Sequence, residues 1–296
     1  MKKTSQLRAL ILDPKLLVMP GAHDVISGRL IEKAGFKAAQ ASGANIVACH
    51  YGVPDYSFIS AREMAEHTGR IARALAIPVM ADGDTGFGNA VNTFYTVREF
   101  ERCGAAGINI EDQVMPKRCG HLEGKSLLPL AEAIAKIRAC VEAREDPDFV
   151  INARTDALAV EGIEGVVRRG NAYLDAGATM VFVEGINSVE NITAAVRGIR
   201  GPVGINLVEG GKSPATQRFD ELERIGVARV SLPSTVMQSA IHGIQTVLSR
   251  LTAQQAVGGY SELLAGFGVA QRLVGLSELH ALEERLLKEL KNNPES

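Results

Sequence analysis

Cysteine is scarce in this chain: Cys49, Cys103, Cys119 and Cys140 are the four in 296 residues. Four such residues make neither a disulfide framework nor a CxxC metal site, and reduced thiols are expected. An excess of charge of one sign is also missing. Thirty-two basic against 34 acidic residues leave a formal net charge of −2, so no global field favours nucleic acid or an anionic membrane. No run approaches the roughly 20 apolar residues that span a bilayer. The N-terminal MKKTSQLRALILDP is broken by Arg8 and Asp13 and lacks a small-residue cleavage site, so it reads as an ordinary helix. GDTGFG lacks GxGxxG or GxxxxGK[ST] spacing, and His23, His50, His67, His242 and His280 lack HExxH-type spacing. These absences point to a soluble, cytoplasmic protein acting on a small molecule, with no nucleotide cofactor, nucleic acid or membrane partner.

Hydrophobic residues at 46% and charged residues at 22% suffice for a full globular core. One phrase recurs: a helix-like segment ends in glycine and an apolar, β-rich run follows. It appears at Gly35, Gly104, Gly177 and Gly226. Glycine after a helix supplies a left-handed cap, and a short apolar run suits a strand buried on both faces. Residues 16–22, 77–84, 149–156 and 202–210 read as four further strands, three of them introduced by proline or Asp-Pro. Helical segments at 60–75, 91–103, 129–144, 161–176, 188–198 and 215–225 alternate with them. Eight such repeats predict a TIM-type (β/α)₈ barrel, with a doubly wound sheet as the alternative. The barrel forms one domain over 1–296. Residues 235–254 and 275–292, with a break at 258–268, predict a C-terminal helical extension over 235–296.

Chemistry in such a barrel sits where strands end. Those positions hold Ser42, Asp82, Asp84, Glu111, Asp112, Arg154, Asp156, Glu184, Asn206 and Glu209. Asp82 and Asp84, two apart at a strand end, point the same way. With Glu111 and Glu184 they form an all-oxygen set suited to Mg²⁺ before Mn²⁺. The alternative for any one aspartate is a helix cap. Arg154, on an otherwise apolar strand, could clamp a substrate carboxylate bidentately or pair structurally with Asp156. The polar segment 110–125 leaves strand four through Pro116, Gly120 and Gly124 and predicts a mobile loop over the mouth. On it, Lys117, Arg118 and His121 surround Cys119 and would favour its thiolate; a bland surface thiol is the alternative.

SGAN and YGVPD within 42–55, ADGDTGFG (81–88), NIEDQVMPKRCGH (109–121), INARTDALAVEG (151–162) and FVEGI (182–186) together resemble the isocitrate lyase/phosphoenolpyruvate mutase superfamily. The match runs in order from about residue 16 to 240. The resemblance implies a (β/α)₈ barrel whose last helix is exchanged between subunits, in dimers assembled as a homotetramer. It also implies a metal site at Asp82 and Asp84, with Asp55, Glu111 and His121 assisting. Substrate would be held by Ser42, Gly43, Ala44, Arg154, Gly120, His121, Glu184 and Asn206.

Lys-Arg-Cys-Gly-His at 117–121 resembles the lyases of this superfamily rather than its phosphonate-handling members. The implied reaction is Mg²⁺-dependent: a base takes the 2-hydroxyl proton of a 2-hydroxy dicarboxylate, the C2–C3 bond breaks, and Cys119 protonates the carbanion-like carbon, leaving a 2-oxo acid such as pyruvate. The base is open among Lys117, Glu111 and metal-bound water, because Gln40 stands where the lyases often carry tyrosine. NLVEGGKSP (206–214) resembles the dimethylmalate and 2-alkylmalate branch, with Leu207 and Val208 expected to favour an apolar substituent. The alternatives, in order, are 2-methylisocitrate cleavage, oxaloacetate decarboxylation or hydrolysis, and carboxyvinyl-carboxyphosphonate phosphorylmutase chemistry.

Overall fold

The computed structural model describes residues 1–117, 124–211, 213 and 218–292. Contacts divide the chain into two units, Met1–Met237 and Gln238–Ser296.

The first unit opens with α1 (Lys3–Leu12) and β1 (Leu17–Ala22), followed by α2 (Val25–Lys33), β2 (Ala39–Ala41), α3 (Gly43–Tyr51), α4 (Ala61–Ala74) and β3 (Val79–Asp82). Next come α5 (Ala90–Arg102), β4 (Gly107–Glu111), α6 (Leu130–Ala143), β5 (Val150–Thr155), α7 (Leu158–Asp175) and β6 (Met180–Val183). The barrel ends with α8 (Val189–Gly198), β7 (Val203–Asn206), α9 (Phe219–Ile225) and β8 (Arg229–Leu232). The strands form a closed barrel in chain order, each parallel to the next. β8 returns to β1 through the pairs Leu17 with Arg229 and Val18 with Val230. This is the TIM-type fold that the repeats predict.

The four repeat glycines have φ between +93° and +101°, the left-handed conformation expected of them. α7 begins three residues before its expected start and is kinked at Gly162, φ +68°. α3 was not expected. It follows a strand of only three residues, and Ser42 at its N-cap makes no capping side-chain bond, so the usual start signal is weak. The barrel floor is plugged from α1: Leu7 and Ile11 pack with Leu17, Met19, Ala38, Met80, Ala106, Val150 and Met180. Between wall and helices lie two apolar clusters, one including Ile46, Ile71, Phe100 and Ile137, the other Val166, Ile192, Ile205 and Leu222.

The chain continues into α10 (Thr235–Gln254), a 3₁₀ turn at Ser261–Leu263, α11 (Phe267–Leu273) and α12 (Leu276–Asn292). In the second unit, Arg250 pairs with Glu262 at 2.6 Å. No described helix is long and apolar enough to cross a membrane.

Candidate active site

Asp82 ends β3, and its carboxylate turns toward the start of α3. Its Oδ2 accepts from the Gly43 backbone N–H at 3.2 Å, and its Oδ1 accepts from the Asp84 N–H at the same distance. A Cβ at Gly43 would stand 2.6 Å from Asp82 Oδ2 and 2.9 Å from its Cγ, so only glycine admits this approach. Asp84 follows in a left-handed conformation, φ +46°. This places its carboxylate inward, where it is almost wholly buried. Lys136, reaching in from α6, donates to Thr85 O at 2.9 Å and braces the same turn.

Lys117 fills the space between two acids. Its Nζ lies 2.6 Å from Asp55 Oδ2 and 2.9 Å from Asp84 Oδ1. Burial alone would discharge this ammonium; Asp84 and Asp55, with Glu111 and Asp82 beyond them, hold its pKa well above the ordinary lysine value. Burial raises Asp84 to about 6, against the pull of Lys117.

Arg154, inward on β5, is the hub of the second cluster. Its Nε lies 2.9 Å from Asp156 Oδ2 and 3.1 Å from Glu111 Oε2, and Nη1 lies 3.4 Å from Glu184 Oε2. Asp156 also takes Lys125 at 2.9 Å. Asn206, from β7, donates to Glu184 Oε2 at 2.9 Å. The structural pairing of Arg154 with Asp156 is therefore present, together with two further acids. Burial pushes Glu111 well above the usual carboxylate range despite Arg154 and Lys117, and its Oε1 is buried without a hydrogen-bond partner. A buried carboxyl in that condition binds a proton more readily than an ordinary one.

Two strand-end acids serve the scaffold. Asp112 accepts from Thr155 Oγ1 and Tyr173 OH, each at 2.7 Å, and from the Asp156 N–H at 3.0 Å. Glu209 is exposed and takes Thr235 Oγ1 at 2.7 Å at the start of α10. Leu207 packs into the cluster behind the barrel wall, away from the mouth, because strand alternation turns it opposite to Asn206. Val208, the next residue, is half-buried, and its backbone N–H and C=O pair with the Ser213 hydroxyl. Ser42 and Gly43 are buried beside Asp82, and Ala44, the next residue of α3, is half-buried. Cys119, Gly120 and His121 lie outside the described residues. Of the other cysteines, Cys140 is buried and pushed to about 12, Cys103 is half-buried and pushed to about 11, and Cys49 is exposed.

The donors available to a metal are hard carboxylate oxygens, chemically apt for Mg²⁺. Among the described residues, Glu111 Oε1 has no hydrogen-bond partner and the two Asp82 oxygens meet only backbone N–H groups, so these oxygens retain acceptor capacity. Among the described residues, no three His, Cys, Asp or Glu side chains converge tightly enough to form a ready-made cage. The Lys117 ammonium supplies the positive charge between Asp55 and Asp84 instead.

Sequence reading passed over three residues. Lys125, Lys136 and Arg229 are cations placed against the site by tertiary structure. Gly43, expected from the resemblance to hold substrate, is also required by a contact with a residue 39 positions away, which the sequence did not signal. Arg229 alone left a local signal, an arginine inside the β-rich run VARVSL.

The family described as phosphoenolpyruvate phosphomutase matches residues 7–252. The 2,3-dimethylmalate lyase of Eubacterium barkeri is 37% identical over 96% of this chain and 98% of its own length. A 2-methylisocitrate lyase of Aeropyrum pernix is 41% identical over 83% of this chain and 78% of its own. Among solved structures, oxaloacetate acetylhydrolase in complex with 3,3-difluorooxalacetate superposes with a TM-score of 0.87 at 32% identity, covering 96% of this chain and 95% of that one. Phosphonopyruvate hydrolase in complex with oxalate and Mg²⁺ superposes with a TM-score of 0.88 at 32% identity, covering 97% and 100%.

Proposed function

The chain belongs to the phosphoenolpyruvate phosphomutase/isocitrate lyase superfamily as an enzyme of the carbon–carbon lyase type, and from that premise we propose that it cleaves 2,3-dimethylmalate or a related 2-alkylmalate in a Mg²⁺-dependent reaction. The observation that carries this reading is the meeting, at one barrel mouth, of Asp82, Asp84 and Glu111 with Arg154. The KRCGH sequence begins at Lys117 beside them. Similarity to the dimethylmalate lyase along nearly the whole of both chains favours the alkylmalate class.

Asp82 and Asp84 would hold the metal, with Asp55 and Glu111 assisting; Mn²⁺ could replace Mg²⁺ in the same oxygen set. When bound, the ion supplies Lewis-acid stabilisation of charge developing on substrate oxygens. Ser42, Gly43, Ala44, Asn206 and Glu184, with Gly120 and His121, would seat the dicarboxylate. Arg154 offers a fork to one carboxylate, and its three acids keep the guanidinium oriented beforehand. Glu111 is the protein group best suited to take the 2-hydroxyl proton, because burial raises its basicity and Oε1 is unpartnered. Lys117, held as an ammonium, is a counter-charge rather than a base. After C2–C3 cleavage, Cys119 would return a proton to the carbon of the departing enediolate, leaving pyruvate or another 2-oxo acid and a carboxylate. We also propose a cytoplasmic, helix-exchanged homotetramer, a dimer of dimers; exposed Ile241, Ile244 and Leu248 on α10 suit burial against a second copy.

A coupled assay for pyruvate release with Mg²⁺, run separately on 2,3-dimethylmalate, 2-methylisocitrate and oxaloacetate, tests the assignment. Preference for dimethylmalate supports it. Preference for methylisocitrate moves the enzyme to the tricarboxylate branch. Action on oxaloacetate alone makes it a decarboxylase or hydrolase. Phosphorus NMR showing turnover of phosphonopyruvate or carboxyvinyl-carboxyphosphonate would replace the lyase reading with phosphorus transfer.

A further inference from the structure

Lys125 stands next to the neck of the segment that leaves β4, where the chain is zipped onto itself. There the Val114 N–H donates to Ser126 O at 2.8 Å, the Leu128 N–H donates to Asp112 O at 2.9 Å, and Gln113 bridges Leu127 in antiparallel fashion. Arg169, from α7, donates to Leu128 O from both terminal nitrogens at 3.1 Å. Backbone and α7 therefore close the neck without the Lys125 side chain. That side chain is nevertheless only 4% exposed, and its Nζ lies 2.9 Å from Asp156 Oδ1.

A buried ammonium loses hydration that one ion pair offsets only in part, so an apolar side chain at 125 would serve the neck at lower cost. What the ammonium reaches is the carboxylate that grips Arg154. Arg154 Nη2 donates to the same Oδ1 at 3.3 Å, and Nε donates to Oδ2 at 2.9 Å. The backbone of Asp156 is already fixed, since its N–H donates to Asp112 Oδ1 at 3.0 Å. Its remaining freedom is rotation of the carboxylate about the last side-chain bond, a broad torsion that no rotamer well locks. Lys125 and Arg154, acting on the two oxygens from different elements, lock it. Burial works to raise the Asp156 pKa, but Arg154 and Lys125 outweigh it and hold the carboxyl below its ordinary value, so it stays an anion.

We propose that Lys125 is a positioning residue for the reaction: through Asp156 it sets the plane in which the Arg154 guanidinium meets a substrate carboxylate. This rests on the dicarboxylate reading of the site. The carboxylate that Arg154 clamps is present in substrate and transition state alike, so loss of the lysine falls on KM more than on kcat.

The test uses the full chain with Lys125→Met, Lys125→Arg, Asp156→Asn and the double variant Lys125→Met/Asp156→Asn. One readout needs no substrate. In protein labelled with ¹⁵N-arginine, the Arg154 Nε–H signal, identified by its loss in Arg154→Lys, should shift and exchange faster with water in Lys125→Met, and stay near its wild-type position in Lys125→Arg. The other readout is KM and kcat on the substrate selected by the pyruvate-release assay. Lys125→Met should raise KM about tenfold with a smaller change in kcat, as expected when one charge-assisted contact weakens, and Lys125→Arg should stay within about threefold of the wild type. The double variant should be no worse than Asp156→Asn alone, because both substitutions break the same link. An unmoved Arg154 signal in folded Lys125→Met overturns the proposal. So do losses that add in the double variant, since the lysine would then act by a route other than Asp156. If none of the candidate substrates is turned over, the functional reading fails and the Arg154 signal decides whether Lys125 positions the guanidinium.

Discussion

The Nζ of Lys117 lies 2.6 Å from Asp55 Oδ2, an ion pair spanning 62 residues that ties the segment after β4 to the segment after α3. The same ammonium meets Asp84 at 2.9 Å, so the lysine would compete with the proposed metal ion for Asp84 and Asp55. Lys117→Met should tighten Mg²⁺ binding about tenfold by calorimetry, since the ion no longer displaces a buried cation. It should also lower turnover more than a hundredfold. Unchanged Mg²⁺ affinity would show that the metal binds elsewhere.

Gly43→Ala places a methyl 2.6 Å from Asp82 Oδ2. Asp82 must swing away, so kcat should fall about a hundredfold, as displacements near 1 Å do. The rest of the barrel is untouched, and Tm should stay within about 3 °C by circular dichroism. Wild-type turnover would remove Asp82 from the reaction.

Arg154→Met leaves Glu111, Asp156 and Glu184 buried around an uncharged side chain. The expected loss is about 3–5 kcal/mol in urea unfolding at pH 7. Part of it should return at pH 5, where Glu111, already raised by burial, binds a proton more readily than in the unfolded chain.

Asp84 carries a pH signature of its own. Burial raises it from 3.8 to about 6, so between those values the folded protein holds more protons than the unfolded chain. Its contribution to stability is fully present below pH 4 and is lost as pH rises through 6, by about 3 kcal/mol at most. Chemical denaturation of metal-free protein across pH 4 to 7 measures this, and Asp84→Asn should flatten that part of the profile.

Cys119→Ser should fold as the wild type does and lose most turnover in the pyruvate-release assay, because only proton delivery to carbon is removed. Full activity in the serine variant would assign protonation to another group.

The strand–helix repeats were legible because each is local: glycine caps, proline punctuation and short apolar runs act within a dozen residues. The carboxylates at strand ends were legible because a parallel barrel puts every strand's C-terminal end at one face. Helix α3 was not, since a three-residue strand and an uncapped start offer little pattern. The placement of Leu207 also depended on register, because a strand turns alternate residues to opposite sides.

The sequence by itself determined the eight-fold alternation, the family signatures and the residue types at the mouth. Only the tertiary structure decided which charges meet. Lys117 reaches acids 33 and 62 positions away, Arg154 gathers acids from three strand ends, and Arg229, an arginine in a β-rich run, is turned into the barrel interior beside Gln40 and Asn109. Coulomb energy depends on separation and burial, and both are set by barrel closure rather than by distance along the chain.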